Sequence, residues 1–283
     1  MNKLDRKDFT IAVKTGSDAN KVKFAKEAVK GEAYYATDSQ NLYFAQTTAG
    51  ASDAFLSKIT PSELAYDNQL SLNLDGTNDY VTILGASDLS ISGDCSISAW
   101  FNPSSVSGYN YIFSLTDGRS TGVDRAFGLS GAQMVANTYA SGWNLPFAHT
   151  AIATGSWYHA VVVFTSGTAR MYLNGSDLGT KSVTTNTVSY TQTVIGGMLY
   201  SSSNHFNGKI DEVVVFDSAL SASDITSIYN NGVPNYIGSF NPVGWWRMGD
   251  NDGGIGTTIT DQGSGGNNGT LANGPTFSTD VPS

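Results

Sequence analysis

The sequence predicts an all-β protein, a sandwich of two antiparallel sheets that carries a small N-terminal segment. Hydrophobic residues make up 40% of the 283 residues and charged residues only 14%, so a large core can form. The 31 glycines favour short strands joined by tight turns. Between residues 69 and 229, strand-length apolar runs recur at regular intervals, as in a sandwich.

Residues 1–60 are predicted to form an attachment segment. Apolar residues at three- and four-residue steps predict a short amphipathic helix over residues 18–30. Residues 31–44 predict a β-hairpin around an Asp-Ser-Gln-Asn turn. Residues 45–61 are rich in Ala, Ser and Thr and are interpreted as a linker.

The sandwich is predicted over residues 61–240. Residues 95–101 alternate polar and apolar side chains, which is typical of a half-buried strand. Asn174-Gly175 between two apolar runs is a strong hairpin signal. One helix is predicted after Ser221, whose side chain can cap its N-terminus.

The tail, residues 241–283, contains one predicted strand at residues 245–248 and is otherwise rich in Gly, Asn and Thr. Its two adjacent tryptophans need burial, and one strand cannot bury itself. The tail is therefore expected to complete the same sandwich, which we prefer, or to dock on a neighbouring subunit.

The charge distribution argues against two classes of partner. Residues 1–60 carry a net charge of +2 and residues 61–283 a net charge of −11. An acidic body is repelled by nucleic acid and by anionic membrane surfaces, so neither is expected to bind.

No apolar run approaches the roughly 20 residues of a membrane span. The start of the chain lacks the apolar stretch of a secretory signal, so synthesis in a cytoplasm is expected.

Five segments resemble, in the same order, the motifs of laminin-G-like (LamG) jelly rolls in the concanavalin A-like lectin/glucanase superfamily. These segments are residues 74–81, 96–101, 157–161, 171–175 and 208–221. The resemblance implies a jelly-roll sandwich with a curved front face. The tail also resembles a segment of that family, but one that usually precedes the first motif.

The hairpin over residues 31–44 resembles short hairpins of tailed-phage fibre and appendage proteins. This resemblance implies a bacteriophage virion structural protein, either a capsid decoration or head fibre or a tail appendage. Residues 1–60 would bind capsid or tail proteins, and the protein would be a homo-oligomer located in the virion. The alternative is a carbohydrate-binding adhesin module for a host surface polysaccharide, and a glycoside hydrolase is the third hypothesis.

A glycoside hydrolase needs two carboxylates on either side of the scissile bond. Asp211 and Glu212 are adjacent on a predicted strand, so they are expected to point to opposite faces. The Glu-x-Asp-x-(x)-Glu pattern of the retaining glucanases is absent from this strand. No enzyme activity and no catalytic residue are therefore predicted.

Calcium is the one ion that the sequence suggests. It binds six to eight oxygen ligands, which Asp75, Asn78 and Asp79 in one turn could supply in part. The family resemblance would add Asp211 from the closing strand. The alternative is that these side chains only satisfy the backbone N–H groups of the turn.

Sugar binding would use exposed aromatic side chains with polar neighbours. Candidates in loop-like regions are Tyr109, Tyr139, Trp143, Asn144, Tyr200 and His205. The alternative is that these aromatic residues hold long loops against the sandwich or lie in a subunit interface.

Overall fold

The computed structural model contains two compact units, Met1–Tyr66 and Asp67–Ser283. In the second unit the structure describes residues 67–84, 89, 91, 93–116, 123–138, 142–184, 192–198 and 204–283. In the first unit it describes residue 66 and the backbone of four strands. Among the described residues, no helix is both long and apolar enough to cross a membrane.

The described strands are numbered in chain order. They are β1 (Val13–Gly16), β2 (Ala33–Ala36), β3 (Asn41–Ala45), β4 (Leu56–Ile59), β5 (Ser71–Asp75), β6 (Tyr80–Leu84), β7 (Cys95–Pro103), β8 (Tyr109–Thr116), β9 (Val123–Ser130), β10 (Gln133–Thr138), β11 (Gly142–Pro146), β12 (Tyr158–Thr165), β13 (Thr168–Leu173), β14 (Ser176–Ser182), β15 (Gln192–Ile195), β16 (Asn207–Phe216), β17 (Gly244–Trp246), β18 (Thr258–Ile259), β19 (Gly269–Ala272) and β20 (Thr276–Ser278). The helix α1 is Ala222–Tyr229, and short 3₁₀ turns follow at Asn230–Gly232 and Gly238–Phe240.

The N-terminal unit contains a four-stranded sheet in the order β1-β2-β3-β4. Strands β2 and β3 form the predicted antiparallel hairpin, with Ala33 opposite Phe44. Strand β4 pairs with β3, so the interpretation of residues 45–61 as a linker is wrong for this strand. Pairing is favourable there because a two-stranded hairpin alone is marginally stable. The helix predicted over residues 18–30 lies outside the described residues.

The second unit is the predicted sandwich of two antiparallel sheets. Sheet I has the order β14-β13-β12-β7-β16-β5-β20, and β17 also pairs with β16. Sheet II has the order β11-β10-β9-β8-β15-β6-β19-β18. The core lies between the sheets and is rich in fully buried aromatic rings, including Phe101, Phe113, Phe127, Phe164 and Trp246.

The tail adds strands to both sheets of its own chain. Strand β19 pairs with β6 in sheet II, and β20 pairs with β5 in sheet I. Trp246 is fully buried and donates its indole N–H to the Asn267 carbonyl at 2.9 Å. Beyond β20, Asp280 accepts a hydrogen bond from Trp157 Nε1 and pairs with Lys209 Nζ, both at 3.0 Å. The tail is thus anchored at several points.

Gly128 in β9 allows β8 to approach closely. A Cβ at this position would lie 2.3 Å from the Asn110 carbonyl oxygen and 2.7 Å from Tyr111 Cα. Because both atoms belong to the backbone, Gly128→Ala would force the two strands apart. We expect it to lower the free energy of unfolding, measured in urea, by about 1–3 kcal/mol. Gly93→Ala is the control, since a Cβ there has no neighbouring atom within 4 Å. Equal stability of the two variants would contradict this account.

Candidate functional site

Helix α1 packs on the outer face of sheet I. Its residue Ile225 packs in a buried cluster with Val161, Val163 and Tyr172. Ser221 caps the helix, accepting from the backbone N–H of the third helical residue while that residue's carboxylate accepts from the Ser221 N–H. The sequence therefore places a short amphipathic helix on an apolar patch of the sheet.

Beneath the helix lies a stack of three rings. The His159 ring centroid is 4.8 Å from that of Trp100 and 5.9 Å from that of Tyr229. His159 Nε2 lies 2.7 Å from Ser98 Oγ, and burial lowers the pKa of His159 to about 3. The histidine is therefore neutral at physiological pH. The cavity at this place measures about 10 Å³, room for at most one water molecule and not for a ligand.

A β-bulge brings Asp211 and Glu212 to the same side of sheet I. Glu212 has a φ of +47°, and the pairing of β16 with β7 shifts register between Asp211 and Val214. Ile210 and Val213 both face the core, so the two acidic residues between them both face outward. The prediction that adjacent carboxylates point to opposite faces is wrong for this pair, because the bulge inserts one extra residue.

These carboxylates belong to a buried ionic network. Glu212 accepts from Trp245 Nε1 at 2.6 Å and from Arg247 Nε at 3.0 Å. Arg247 also pairs with Asp250 at 3.0 Å. Burial is the main cause that raises the pKa of Asp211 well above its usual value and that of Asp250 to about 6. Asp211 is 0% exposed and Glu212 is 4% exposed, so neither reaches a substrate in this arrangement.

Beside the start of α1, strands β12–β14 of sheet I line an open groove of about 280 Å³, the β12–β14 groove. Residues 219–222, which lead into the first residue of α1, form one wall. Ser96 Oγ anchors this wall by donating to the Ser218 carbonyl and accepting from the Leu220 N–H, both at 2.9 Å. The sheet contributes Val163, Thr165, Thr168, Arg170, Tyr172 and Thr180.

Arg170 and Asp177 form a fixed ion pair beside the groove. Arg170 Nε lies 3.1 and 3.2 Å from the two Asp177 oxygens, and its Nη2 also donates to Asp177. The bond to Arg170 is the main cause that lowers the pKa of Asp177, and the same bond raises that of Arg170. The guanidinium lies 5.6 Å from the centroid of the Tyr172 ring. Both charged side chains stay accessible, with 49% of Arg170 and 38% of Asp177 exposed.

The sequence contained part of the signal for this groove. Thr168, Arg170 and Tyr172 alternate on one face of a strand, and the Asn174-Gly175 turn brings the next strand alongside. What the sequence could not reveal is that the residues leading into α1 form a wall beside this face.

The predicted calcium residues do not all converge. Asp75 Oδ1 accepts from the backbone N–H of Thr77 at 2.7 Å, and Asp79 Oδ2 accepts from that of Asp75 at 3.1 Å. The carboxylates thus accept hydrogen bonds from their own turn, and calcium binding by this turn stays a prediction. Asp75 pairs with Asn207, four residues along β16 from Asp211, so roughly 13 Å separate Asp211 from the turn. Among the described residues, no three acidic, His or Cys side chains form a metal-binding group.

The predicted sugar-binding positions are also spread out. Tyr109, 43% exposed, begins β8 opposite Ser130. Strand β11, which contains positions 143 and 144, starts opposite Thr138 at the other end of β10. Five residues of β10 separate the two ends, roughly 17 Å. The structure therefore does not bring Tyr109 and the start of β11 close together.

His205 lies at the Tyr109 end of sheet II. Its ring stacks on that of Tyr80, with centroids 6.0 Å apart, and burial lowers its pKa. Tyr139 and Tyr200 lie outside the described residues, as do the side chains of Trp143 and Asn144. Sugar binding by these four residues stays a prediction.

A family model described as the concanavalin A-like lectin/glucanases superfamily, of the laminin-G type, matches residues 75–226. This match spans more than half of the chain. The protein belongs to this superfamily. No curated protein matches the chain at a significant level. The first and last strands of the sandwich, β5 and β20, fall almost entirely outside the matched residues.

Solved structures with the same fold include a Bacteroides ovatus protein described as a candidate carbohydrate binding protein. It is 17% identical, with a TM-score of 0.57 over 90% of this chain and 71% of that chain. A SAP-like pentraxin from Limulus polyphemus is 18% identical, with a TM-score of 0.47 over 58% and 84%. A Ruminococcus gnavus sialidase module bound to sialyllactose is 13% identical, with a TM-score of 0.43 over 56% and 96%. At these identities the likeness concerns the fold alone.

Proposed function

We propose that the protein is a non-catalytic carbohydrate-binding protein and that the β12–β14 groove holds the sugar. The accessible Arg170–Asp177 pair beside an open groove is the observation that carries this proposal. Membership in a superfamily of lectins and glucanases supports it. The burial of Asp211 and Glu212 supports binding without hydrolysis, because neither carboxylate can reach a glycosidic bond.

The chemistry of the groove suits a polyol. A sugar hydroxyl both donates and accepts hydrogen bonds, and the ion pair offers N–H donors and carboxylate acceptors side by side. Thr165 and Thr168 add hydroxyls, which lie 2.6 Å apart. The ion pair is already formed in the free protein, so little side-chain order has to be gained on binding. A groove of about 280 Å³ is at the small end for ligand sites, so one or two sugar rings would bind weakly.

Arg170→Ala should weaken sugar binding if the groove is the site. We expect wild-type protein to bind at least one of maltohexaose, cellohexaose, mannohexaose or xylohexaose saturably in calorimetry. The variant should bind at least tenfold more weakly, a loss of about 1.4 kcal/mol. Lys209→Ala is the matched control, because it breaks the ion pair with Asp280 away from the groove. Loss of binding in Trp143→Ala but not in Arg170→Ala would place the sugar at strand β11 instead.

We propose in addition that residues 1–60 attach the protein to a bacteriophage particle. The resemblance of residues 31–44 to phage appendage hairpins supports it, together with the pairing of β2 and β3. Each particle would then present many copies of the sandwich, and weak sugar sites would act together. We expect the full chain to co-sediment with phage particles and a chain lacking residues 1–60 to stay in the supernatant. Equal sedimentation of both chains would contradict attachment through this segment.

A further inference from the structure

We propose that Asp177 is the specificity-determining residue of the β12–β14 groove and restricts it to neutral sugars. This inference rests on the proposed sugar-binding function and names the class of ligand. It follows from how the charge of Arg170 is balanced in the groove.

Arg170 is the cation among the described residues that line the groove, and Asp177 neutralises it. Asp177 occupies Nε and Nη2 of the guanidinium, one of the edges through which an arginine holds a carboxylate in the bidentate manner. Nη1 takes no part in the bonds to Asp177 and can donate to a single hydroxyl acceptor. A uronate or sialate carboxylate would therefore meet an occupied guanidinium and the negative charge of Asp177.

The backbone holds Asp177 in this position. The register of β13 and β14 shifts between Arg170 and Tyr172, which sets Asp177 directly opposite Tyr172. The backbone N–H of Gly179 donates to Asp177 Oδ1 at 2.8 Å, at a glycine with a φ of +90°. An incoming anion would have to compete with a carboxylate that is fixed by the turn, not with one that moves away freely.

The electrostatic field of the protein also disfavours anionic sugars at the groove. Residues 61–283 carry a net charge of −11, so an anionic polysaccharide is repelled before it reaches the groove. A neutral polysaccharide does not experience this repulsion. The Arg170–Asp177 pair and the net charge of the sandwich therefore both favour neutral sugars.

The test compares wild-type protein with Asp177→Asn, which keeps the side-chain shape but frees the charge of Arg170. Calorimetry would use the neutral hexasaccharides named above and an oligogalacturonate of the same length. We expect wild-type protein to bind a neutral sugar at least tenfold more tightly than the oligogalacturonate. In Asp177→Asn the affinity for oligogalacturonate should rise at least tenfold and fall again with added salt. In Arg170→Gln/Asp177→Asn this gain should disappear, because the free cation is gone.

Three results would count against the proposals, and they are distinguishable. Equal wild-type affinity for oligogalacturonate and for a neutral sugar would overturn the role of Asp177 and leave sugar binding in place. If the affinity for oligogalacturonate did not rise in Asp177→Asn, the role of Asp177 would likewise be overturned and sugar binding would remain. The absence of binding to every oligosaccharide by wild-type protein would overturn the sugar-binding function itself.

Discussion

Arg247→Met is expected to lower the free energy of unfolding by about 3–5 kcal/mol, because it leaves buried carboxylates without their cation. Arg247 pairs with Glu212 and Asp250 at 3.0 Å each, and the side chains of all three residues are at most 5% exposed. A methionine fills similar space but donates no hydrogen bond. Urea unfolding at neutral pH measures the change.

The control for this variant is Arg170→Met, which breaks an exposed ion pair. Exposed pairs contribute little to stability, so the free energy of unfolding of this variant should stay close to that of wild-type protein. Adding Glu212→Gln to Arg247→Met should recover part of the loss, since the penalty arises from a buried charge and not from a missing contact. If Arg247→Met were as mild as Arg170→Met, the network would not be a main source of stability.

The sequence predicted the sandwich well where its signals were local. The alternation over residues 95–101 predicted β7, and Cys95, Ile97, Ala99 and Phe101 face the core as expected. The outer side of the same strand is buried too, because α1 and the chain after it cover Trp100. No local pattern in β7 could reveal this cover, which comes from residues more than a hundred positions later.

The errors at β4 and at the acidic pair share a physical cause. Strand β4 is a short run in an Ala/Ser/Thr-rich stretch, and it becomes a strand through pairing with β3. Glu212 faces outward because a positive φ inserts a bulge, and that φ is stabilised by bonds to Trp245 and Arg247 in the tail. Both features depend on contacts with other parts of the folded chain. Side-chain periodicity within one segment carries no information about such contacts.

His159 is expected to make the fold sensitive to acid, and His159→Gln should reduce this sensitivity by about 3 kcal/mol between pH 7 and pH 4.5. Burial lowers the folded-state pKa to about 3 from the model-peptide value of 6.5. Because the folded-state pKa is depressed, the contribution of neutral His159 to the free energy of unfolding is fully present above pH 6.5. This contribution is lost as the pH falls toward 3. Each unit below 6.5 costs about 1.4 kcal/mol, and glutamine carries no titrating proton.

The measurement is urea unfolding of both proteins at several pH values, and the quantity compared is the difference between them. Ser98→Ala is the control, because burial and not the hydrogen bond between Ser98 and His159 depresses the pKa of His159, so this variant should keep the wild-type pH dependence. Parallel stability profiles for wild-type protein and His159→Gln would rule out the histidine as the acid-sensitive group.

The wild-type profile alone would understate this effect, because two other buried groups act in the opposite direction. The pKa of Asp250 is raised to about 6 and that of Asp211 is raised well above its usual value. A raised folded-state carboxyl pKa adds stability at low pH that is lost as the pH rises, for Asp250 between about 4 and 6. Between pH 4 and 6 the two carboxyl groups at least offset His159, so the wild-type curve does not show the loss of stability that the histidine alone would cause there. Both carboxyl groups are present in His159→Gln, and the difference between the two proteins therefore isolates the histidine.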